Sequence, residues 1–314
     1  MEENEKFNTS LEVLLKTVVH NKASDLHIVS RSEPQIRIDG TLRPLELGVL
    51  SGHDIQDICY ALITDVQKSE LEENRELDFA IELPGVGRFR GNYYYTMNGD
   101  LAAAFRIIPT EIPSLDDLKA PNIFKEVVKR EKGMILVTGP TGSGKSTTLA
   151  AMLNEINLNE RKHVITVEDP VEFVHTNKKA LFSHRNVGTD TQSYARALKY
   201  ALREDPDIIL VGELRDRETI STAITAAETG HLVFGTLHTN SAIQTINRII
   251  DSFEGGEQLQ VRNMLSVSLT AVISQALLPK IGSGRLAVHE ILINNNAIAN
   301  LIRENKVHQI YSQM

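Results

Sequence analysis

The hydrophobic positions of residues 1–108 follow two short-range patterns. Leu11 to Val19 spaces its apolar side chains three or four residues apart, as an amphipathic helix does, and residues 51–74 predict a helix pair. Residues 35–42 alternate apolar with polar side chains and turn at Asp39-Gly40, which predicts a hairpin. Further strands are predicted over 77–81, 87–95 and 101–108. The pattern therefore predicts a small α+β domain.

A different pattern begins after the linker that Pro109 and Pro113 predict over residues 109–118. In residues 119–314, short apolar runs alternate with helical patterns. The predicted strands are 134–137, 164–167, 208–211 and 232–237, and two of the predicted helices are 194–202 and 219–229. Strands that are apolar on both faces and separated by helices indicate a parallel sheet.

A phosphate-binding loop follows the first of these strands. The spacing Gly-x-x-x-x-Gly-Lys-Ser lies between an apolar strand and a helix, which is the setting this motif requires. Lys145 can reach the β- and γ-phosphates of ATP, and the Ser146 hydroxyl can ligate Mg²⁺. The predicted phosphate-binding residues are Gly139, Pro140, Thr141, Gly142, Ser143, Gly144, Lys145, Ser146 and Thr147.

Acidic residues end two other predicted strands. Ligands of a parallel sheet lie beyond the carboxyl ends of its strands. Gly212 stands where a strand-end Asp is usual in nucleotide sites, so Glu213 is the candidate general base, with a solvated turn carboxylate as the alternative. Glu168 and Asp169 could organise Mg²⁺-bound waters, share the work of the base or act as a structural cap.

Histidines and arginines complete the set of candidates. His238 follows the strand 232–237 at its carboxyl end, where a γ-phosphate sensor would lie, whereas His231 precedes the strand and suits an interface or a turn. Arg90 and Arg106 lie on strands of the first domain. Arginines from a second domain or a neighbouring chain can add charge to a phosphate that a loop already holds.

Composition narrows the function classes. The formal net charge of −8 argues against a surface that coats nucleic acid. Cys59 is the single cysteine, so neither an intrachain disulfide nor a cysteine zinc cluster can form, and its neighbours predict a buried position. The acidic N-terminus does not resemble a signal peptide, and no apolar run is long enough for a transmembrane helix, so we expect a cytoplasmic protein.

Four stretches together resemble the secretion-type ATPases. They correspond to that superfamily's Walker A, Asp, Walker B and His boxes and comprise residues 139–147, 167–173, 201–216 and 225–239. Within the superfamily, the chain most resembles the PilT-type retraction ATPases of type IV pili. Ala23-Ser-Asp-Leu-His27 and Ile273-Ser-Gln275 also fit that family.

The resemblance implies a PAS-like N-terminal domain and a RecA-like ATPase domain, with nucleotide between them and the linker at 109–118 as a hinge. It implies a homohexamer that acts peripherally at the inner membrane on a platform protein. By motif match, Glu213 would be the catalytic glutamate and Glu168 the Asp-box acid. His231 and His238 would be the His-box residues, and Arg90 and Arg106 would approach the γ-phosphate.

One position departs from the retraction family. The family carries Ala-Ile-Arg-Asn-Leu-Ile near its C-terminus, tied to retraction, whereas here the third residue is Ala299. Other readings of the sequence are an accessory retraction ATPase, a type II or IV secretion ATPase, a slow ATP-gated switch and a DNA translocase. The four-cysteine motif of pilus extension ATPases is missing, and the net charge argues against the DNA translocase.

Overall fold

The computed structural model describes residues 10–38, 40–108, 111–281 and 284–314. Contacts divide the chain into two units, Met1–Thr110 and Glu111–Met314. The predicted linker at 109–118 begins at this division, but Pro109 and Thr110 lie outside the described residues. Its role as a hinge stays a prediction.

The N-terminal unit is an antiparallel sheet with three helices. The helices are α1 (Leu11–His20), α2 (Gly52–Tyr60) and α3 (Asp65–Asn74). The strands are β1 (Asp25–Ile28), β2 (Gln35–Ile38), β3 (Thr41–Pro44), β4 (Glu76–Leu83), β5 (Gly87–Tyr95) and β6 (Leu101–Ile108). A 3₁₀ turn covers Met97–Gly99, and the strand order is β3-β2-β1-β6-β5-β4. The predicted α+β elements are present, although Asp39 of the predicted hairpin turn lies outside the described residues.

Local capping explains where the helices of this unit begin. The Ser51 hydroxyl accepts the Asp54 N–H while the Asp54 carboxylate accepts the Ser51 N–H, and Thr64 and Gln67 repeat this exchange at α3. Cys59 on α2 is fully buried, as its neighbours predict, and burial raises the pKa of its thiol to about 12. The thiol therefore stays protonated and packs as a small apolar group.

The second unit is built on a seven-stranded sheet. Its strands are β7 (Gly133–Thr138), β8 (His163–Glu168), β9 (Leu181–Asn186), β10 (Ile208–Val211), β11 (Leu232–Leu237), β12 (Leu269–Pro279) and β13 (Arg285–Ile293). The helices are α4 (Ile123–Val127), α5 (Lys145–Asn159), α6 (Tyr194–Ala201), α7 (Arg217–Glu228), α8 (Ala242–Asp251), α9 (Gly255–Ser268) and α10 (Asn296–Arg303), and a 3₁₀ segment covers Val307–Gln313.

The strand order of this sheet is β13-β12-β7-β11-β10-β8-β9. Every neighbouring pair is parallel except β12 with β13. The prediction of a parallel sheet is therefore confirmed for six strands, and β13 adds an antiparallel edge that the hydrophobic pattern did not predict. Because β7, β11, β10 and β8 are consecutive neighbours, their carboxyl ends meet at one edge of the sheet.

Helices cover both faces of the sheet. One apolar cluster packs α7, α8, α9 and α10 against the strands, and another packs α4 and α5 against the opposite face. All six residues of β7 and all six of β11 are buried, as expected for central strands of a two-sided sheet. Among the helices that the structure describes, none is both long and apolar enough to cross a membrane.

Candidate nucleotide site

The phosphate-binding loop lies between β7 and α5, as predicted. Gly139, Gly142 and Gly144 have φ angles of 142°, 79° and 87°, a region that side chains other than glycine rarely adopt. At Gly139 a Cβ atom would also collide with the carbonyl oxygen of Gln275. Helix α5 begins at Lys145, so its N-terminal N–H groups face the loop, where phosphate oxygens bind best.

The buried side chain of Gln275 braces this loop from β12. Its Nε2 donates to the Ser143 carbonyl oxygen at 2.6 Å, and its Oε1 accepts from the Thr148 hydroxyl at 2.7 Å. His289 Nε2 lies 3.2 Å from the same Oε1. Because Gln275 is only 4% exposed, these contacts have no competition from bulk water. They fix the Ser143 peptide at the tip of the loop.

Lys145 lies across the loop that it belongs to. Its Nζ donates to the carbonyl oxygens of Gly139 at 2.8 Å and Pro140 at 3.1 Å. Burial lowers the pKa of Lys145, and the carboxylates of Glu213 and Glu172 oppose that effect. A partly desolvated ammonium attracts a phosphate more strongly than an ammonium in bulk water does. Lys145 is therefore well placed to bind a phosphate group at the loop.

Ser146 and Glu168 line the same small cavity at the strand ends. The cavity has a volume of about 30 Å³, and Thr166, Gly212 and Thr236 also line it. This volume suits a water molecule or a single small ion held by several polar partners. The structure thus brings the predicted Mg²⁺ ligand and the predicted Asp-box acid to one place.

Glu213 is held by the side chains of Arg215 and His238. Arg215 Nη2 lies 2.8 Å from Glu213 Oε2, and His238 Nε2 lies 3.4 Å from Glu213 Oε1. Burial alone would raise the pKa of Glu213, but the hydrogen bond and charge of Arg215, together with His238, outweigh burial and lower it. Glu213 is therefore a carboxylate at neutral pH, and each oxygen keeps a second lone pair that can accept from a water.

Close packing of the backbone against β8 and against Tyr194 explains why the residue before Glu213 is glycine. A Cβ atom at Gly212 would lie 3.2 Å from the Cα of Glu168, the carbonyl oxygen of Val167 and the hydroxyl of Tyr194. The Gly212 carbonyl oxygen also accepts from the Thr236 hydroxyl on β11. The usual strand-end Asp would have to displace β8, and the carboxylate is instead supplied one residue later.

The predicted histidines lie at opposite ends of β11. His238 contacts Glu213, whereas the His231 ring bonds to the Ala226 carbonyl oxygen at 3.0 Å. The six residues of β11 lie between the two histidines, and seven steps of extended chain at about 3.3 Å each place them roughly 23 Å apart. Within one chain, His231 therefore caps the end of α7 and does not lie beside the phosphate loop. The roles of His238 as a γ-phosphate sensor and of both histidines as His-box residues stay predictions.

The predicted arginines share a polar row on the N-terminal sheet. Arg106 is paired directly with Asp25 on β1 and with Arg90 on β5. Arg106 Nε donates to Asp25 Oδ1 at 2.8 Å, and Arg90 Nη2 lies 3.7 Å from Asp78 Oδ1. Burial would raise the pKa of Asp25, but hydrogen bonds from Ser24 and Arg106 lower it. Both arginines are exposed, so both can meet an anionic ligand or partner.

Comparison with known proteins agrees with these features. The sequence matches the family described as "Type II/IV secretion system protein" over residues 1–314. The chain belongs to this family.

Relatives and a solved structure give the same assignment. A Pseudomonas aeruginosa protein named "Type IV pilus retractation ATPase PilT" is 53% identical over 290 residues, which cover 92% of this chain and 84% of the relative. A Neisseria gonorrhoeae "Twitching motility protein" is 52% identical over 304 residues, covering 96% and 81%. The structure described as "Crystal Structure of the Pilus Retraction Motor PilT and Bound ADP" has a TM-score of 0.93 at 50% identity, covering 98% of this chain and 90% of that one.

This similarity confirms the predicted α/β fold class with its parallel sheet. The likeness of the N-terminal unit to a PAS domain stays a prediction. An ADP-bound relative of such high similarity also agrees with a nucleotide site at the P-loop of this family member.

Sequence reasoning missed two groups of site residues. Gln275 and Thr148 brace the P-loop, and Arg215 pairs with Glu213. A signal for Gln275 was present, because Ser274 and Gln275 interrupt the apolar run 271–273, and a polar pair inside a buried strand needs partners. Arg215 stands only two residues from Glu213, but two neighbouring charges in a loop do not by themselves distinguish an ion pair from two solvated side chains.

Proposed function

We propose that this chain is an ATP-hydrolysing motor that drives retraction of type IV pili. The single observation that carries the proposal is the 53% identity to a pilus retraction ATPase over 92% of this chain. The site geometry independently supports the ATP hydrolysis in this proposal, because a braced P-loop, a partly buried lysine and an ionised carboxylate lie together at one edge of the sheet.

The proposed reaction is attack of water on the γ-phosphorus of ATP. The new bond joins the water oxygen to phosphorus, and the bond to the β,γ-bridging oxygen breaks, so that ADP leaves. Glu213 accepts a hydrogen bond from the water and directs its lone pair at phosphorus. The water's proton passes to Glu213 or, through Glu213, to the inorganic phosphate that the reaction forms. Arg215 and His238 keep the carboxylate ionised and in place.

The residues present fit a Mg²⁺ ion in this reaction. Ser146 and Glu168 offer oxygen atoms at the same small cavity, and oxygen ligands are those that Mg²⁺ prefers. Among the described residues, no group of three or more His, Cys, Asp or Glu side chains forms a metal site, so the ion would depend on the hydroxyl, the phosphates and water for most of its ligands. Mg²⁺ held by Ser146, by the phosphates and by waters that Glu168 orients would neutralise phosphate charge.

The motor would work as a homohexamer in which Arg90 and Arg106 act on the γ-phosphate. Their exposure and their position side by side on the N-terminal sheet support this role. Hydrolysis would turn the two units of a chain against each other about the linker at 109–118. We propose that the ring acts at the cytoplasmic face of the inner membrane on a pilus platform protein.

Two alternatives follow from the same site. An accessory retraction ATPase or a type II or IV secretion ATPase would share all of this chemistry, since the family includes secretion proteins. A slow ATP-gated switch would bind nucleotide without fast turnover. The ion-paired carboxylate of Glu213 favours an enzyme, because a switch has no need of an oriented base.

The deciding experiment deletes the gene and scores surface pili and twitching motility in the same cells. A retraction motor predicts excess pili without twitching, and restoration of both by the wild-type gene but not by Lys145→Ala. Loss of surface pili would contradict retraction and indicate extension. Normal pili and normal twitching, with a secretion defect, would indicate the secretion alternative.

A further inference from the structure

A second site lies at the opposite end of the same sheet. A cavity of about 870 Å³ is lined by Gly133 at the start of β7, Leu269 at the start of β12 and Asn294 just after β13. Strands β7 and β12 run in parallel from this cavity to the P-loop and to Gln275. The cavity therefore lies at the far ends of the strands that carry the nucleotide site, and it shares no lining residue with that site.

Exposed cations surround this cavity, which we call the basic cavity. They come from two segments, the loop before β7 and the C-terminal end of α10, and are Lys129, Arg130, Lys132 and Arg303. In the part of the chain that the structure describes, none of the four makes an ion pair or a side-chain hydrogen bond. Two carboxylates, Glu131 and Glu228, also line the cavity, so positive charge is in excess there although the chain carries −8 overall.

The lining of the basic cavity also offers hydrogen-bonding groups. The Asn294 side chain donates to the carbonyl oxygens of Ser266 at 3.0 Å and Leu269 at 2.8 Å. Its Oδ1 is buried and accepts no hydrogen bond from any described residue. Such an atom normally has a donor, and a backbone N–H of a bound chain would supply one after a small movement of the rim.

The N-terminal end of α10, which also lines the cavity, is unsuited to a phosphate group. The Asn295 side chain already accepts from the N–H groups of Ala297 and Ile298 at 2.9 and 3.0 Å. Phosphate sites at helix ends depend on free N–H groups, and these two are satisfied. The cations instead lie along two separate segments, which suits several carboxylates spaced along an extended chain.

We propose that the basic cavity binds an acidic peptide segment of a partner protein. Asp and Glu side chains of the segment would pair with the cations of the two flanking segments, and its backbone would bond to the polar lining. This inference goes beyond the motor activity and does not depend on it. The volume of about 870 Å³ lies within the range of small-molecule sites, roughly 300–1,000 Å³, so the cavity would hold a short stretch of the segment.

The test adds the full chain to a fluorescently labelled decapeptide of alternating Glu and Gly and measures its fluorescence anisotropy. A decapeptide of alternating Gln and Gly is the neutral reference. The double variant Lys129→Glu/Arg303→Glu should raise the Kd for the acidic peptide roughly tenfold or more. Its matched control is Arg161→Glu/Lys199→Glu, which makes the same charge change on exposed side chains outside the cavity. The control should stay within about twofold of wild type, since rim charges act weakly at a distance.

A third variant separates shape from charge. Ala299 lines the basic cavity, so Ala299→Phe fills part of it without changing charge and should also weaken the peptide. Unchanged ATPase rates and melting temperatures establish that each variant is folded. Equal losses in both double variants, no binding by wild type, no effect of Ala299→Phe, or displacement of the peptide by equimolar pyrophosphate would each overturn the proposal.

Discussion

Arg215 Nη2 lies 2.8 Å from Oε2 of Glu213, two residues away on the same strand end, and holds that carboxylate in its ionised form. Removing the guanidinium leaves burial as the larger influence, so the pKa of Glu213 should rise in Arg215→Ala. A carboxylate with a depressed pKa works above that pKa and is lost as pH falls through it. The acid limb of the pH profile of kcat should therefore move to higher pH in the variant.

Arg217→Ala is the matched control for Arg215→Ala, because Arg217 pairs with Glu257 and not with Glu213. Its pH profile should overlay that of the wild type. Identical shifts in the two variants would mean that general surface charge, and not the direct ion pair, sets the protonation of Glu213.

Lys145 and Glu213 should separate binding from turnover. Lys145→Ala removes the cation of the P-loop and should abolish binding of a fluorescent ATP analogue. Glu213→Ala should bind the analogue normally but hydrolyse ATP roughly 10²- to 10⁴-fold more slowly, the usual contribution of a positioned base. Hydrolysis at the wild-type rate by Glu213→Ala would show that another group activates the water.

Gln275→Ala should weaken nucleotide binding although its side chain lies behind the loop. The variant leaves the Ser143 carbonyl oxygen and the Thr148 hydroxyl without their partner, at a cost of about 1–3 kcal/mol each when buried. We expect a higher KM for ATP with a smaller change in kcat. Gln260→Ala, at an exposed glutamine of α9, is the control. An equal KM for ATP in the two variants would contradict the role of Gln275 in supporting the P-loop.

Gly212→Ala should destabilise the protein and slow hydrolysis. Its new methyl group would press on Glu168 and Val167 at 3.2 Å, and overpacking of this kind costs about 1–3 kcal/mol. The melting temperature should fall, with a parallel loss of ATPase activity as β8 moves. Gly255→Ala adds the same methyl group where no atom lies within 4 Å, and its melting temperature should be unchanged or slightly higher.

Arg90 should matter only in an assembled ring. Arg90→Ala is expected to lower the ATPase rate of hexamers, isolated by size exclusion, while dilute monomers of variant and wild type hydrolyse ATP equally slowly. Arg43→Ala, at an exposed arginine of the edge strand β3, is the control. If wild-type monomers were as active as hexamers, no arginine from another chain would be required.

The central strands and the P-loop could be predicted because their signals are local. The runs ending at Val137 and Val211 are apolar at every position, and Thr166 is the single polar residue in the run 164–167, so these strands leave few alternatives. Strand β9 could not be predicted in the same way, since Ser183, His184 and Arg185 interrupt its apolar pattern. Tertiary contacts support it instead, including the bond between Thr166 and His184.

The residues that we propose to carry the chemistry could be predicted better than the residues that support them. Lys145, Glu168 and Glu213 follow from motif spacing and strand ends. Of their supports, Gln275 has partners that only the fold creates, because it comes from a strand more than a hundred residues downstream. Arg215 lies two residues from Glu213, but only the conformation of the loop after β10 turns its guanidinium toward the carboxylate. The positions of the two histidines relative to β11 were informative too. They place His238 at the carboxyl end beside Glu213 and His231 at the opposite end of the strand.

The brace from β12 also has a consequence for biosynthesis. The P-loop is complete in sequence by Ser146, but its inner wall is the peptide and side chain of Gln275. Until the residues between Ser146 and Gln275 have been translated, the loop lacks the contacts that Gln275 makes with it. We therefore expect the loop to reach its final conformation only after Gln275 has been added to the growing chain.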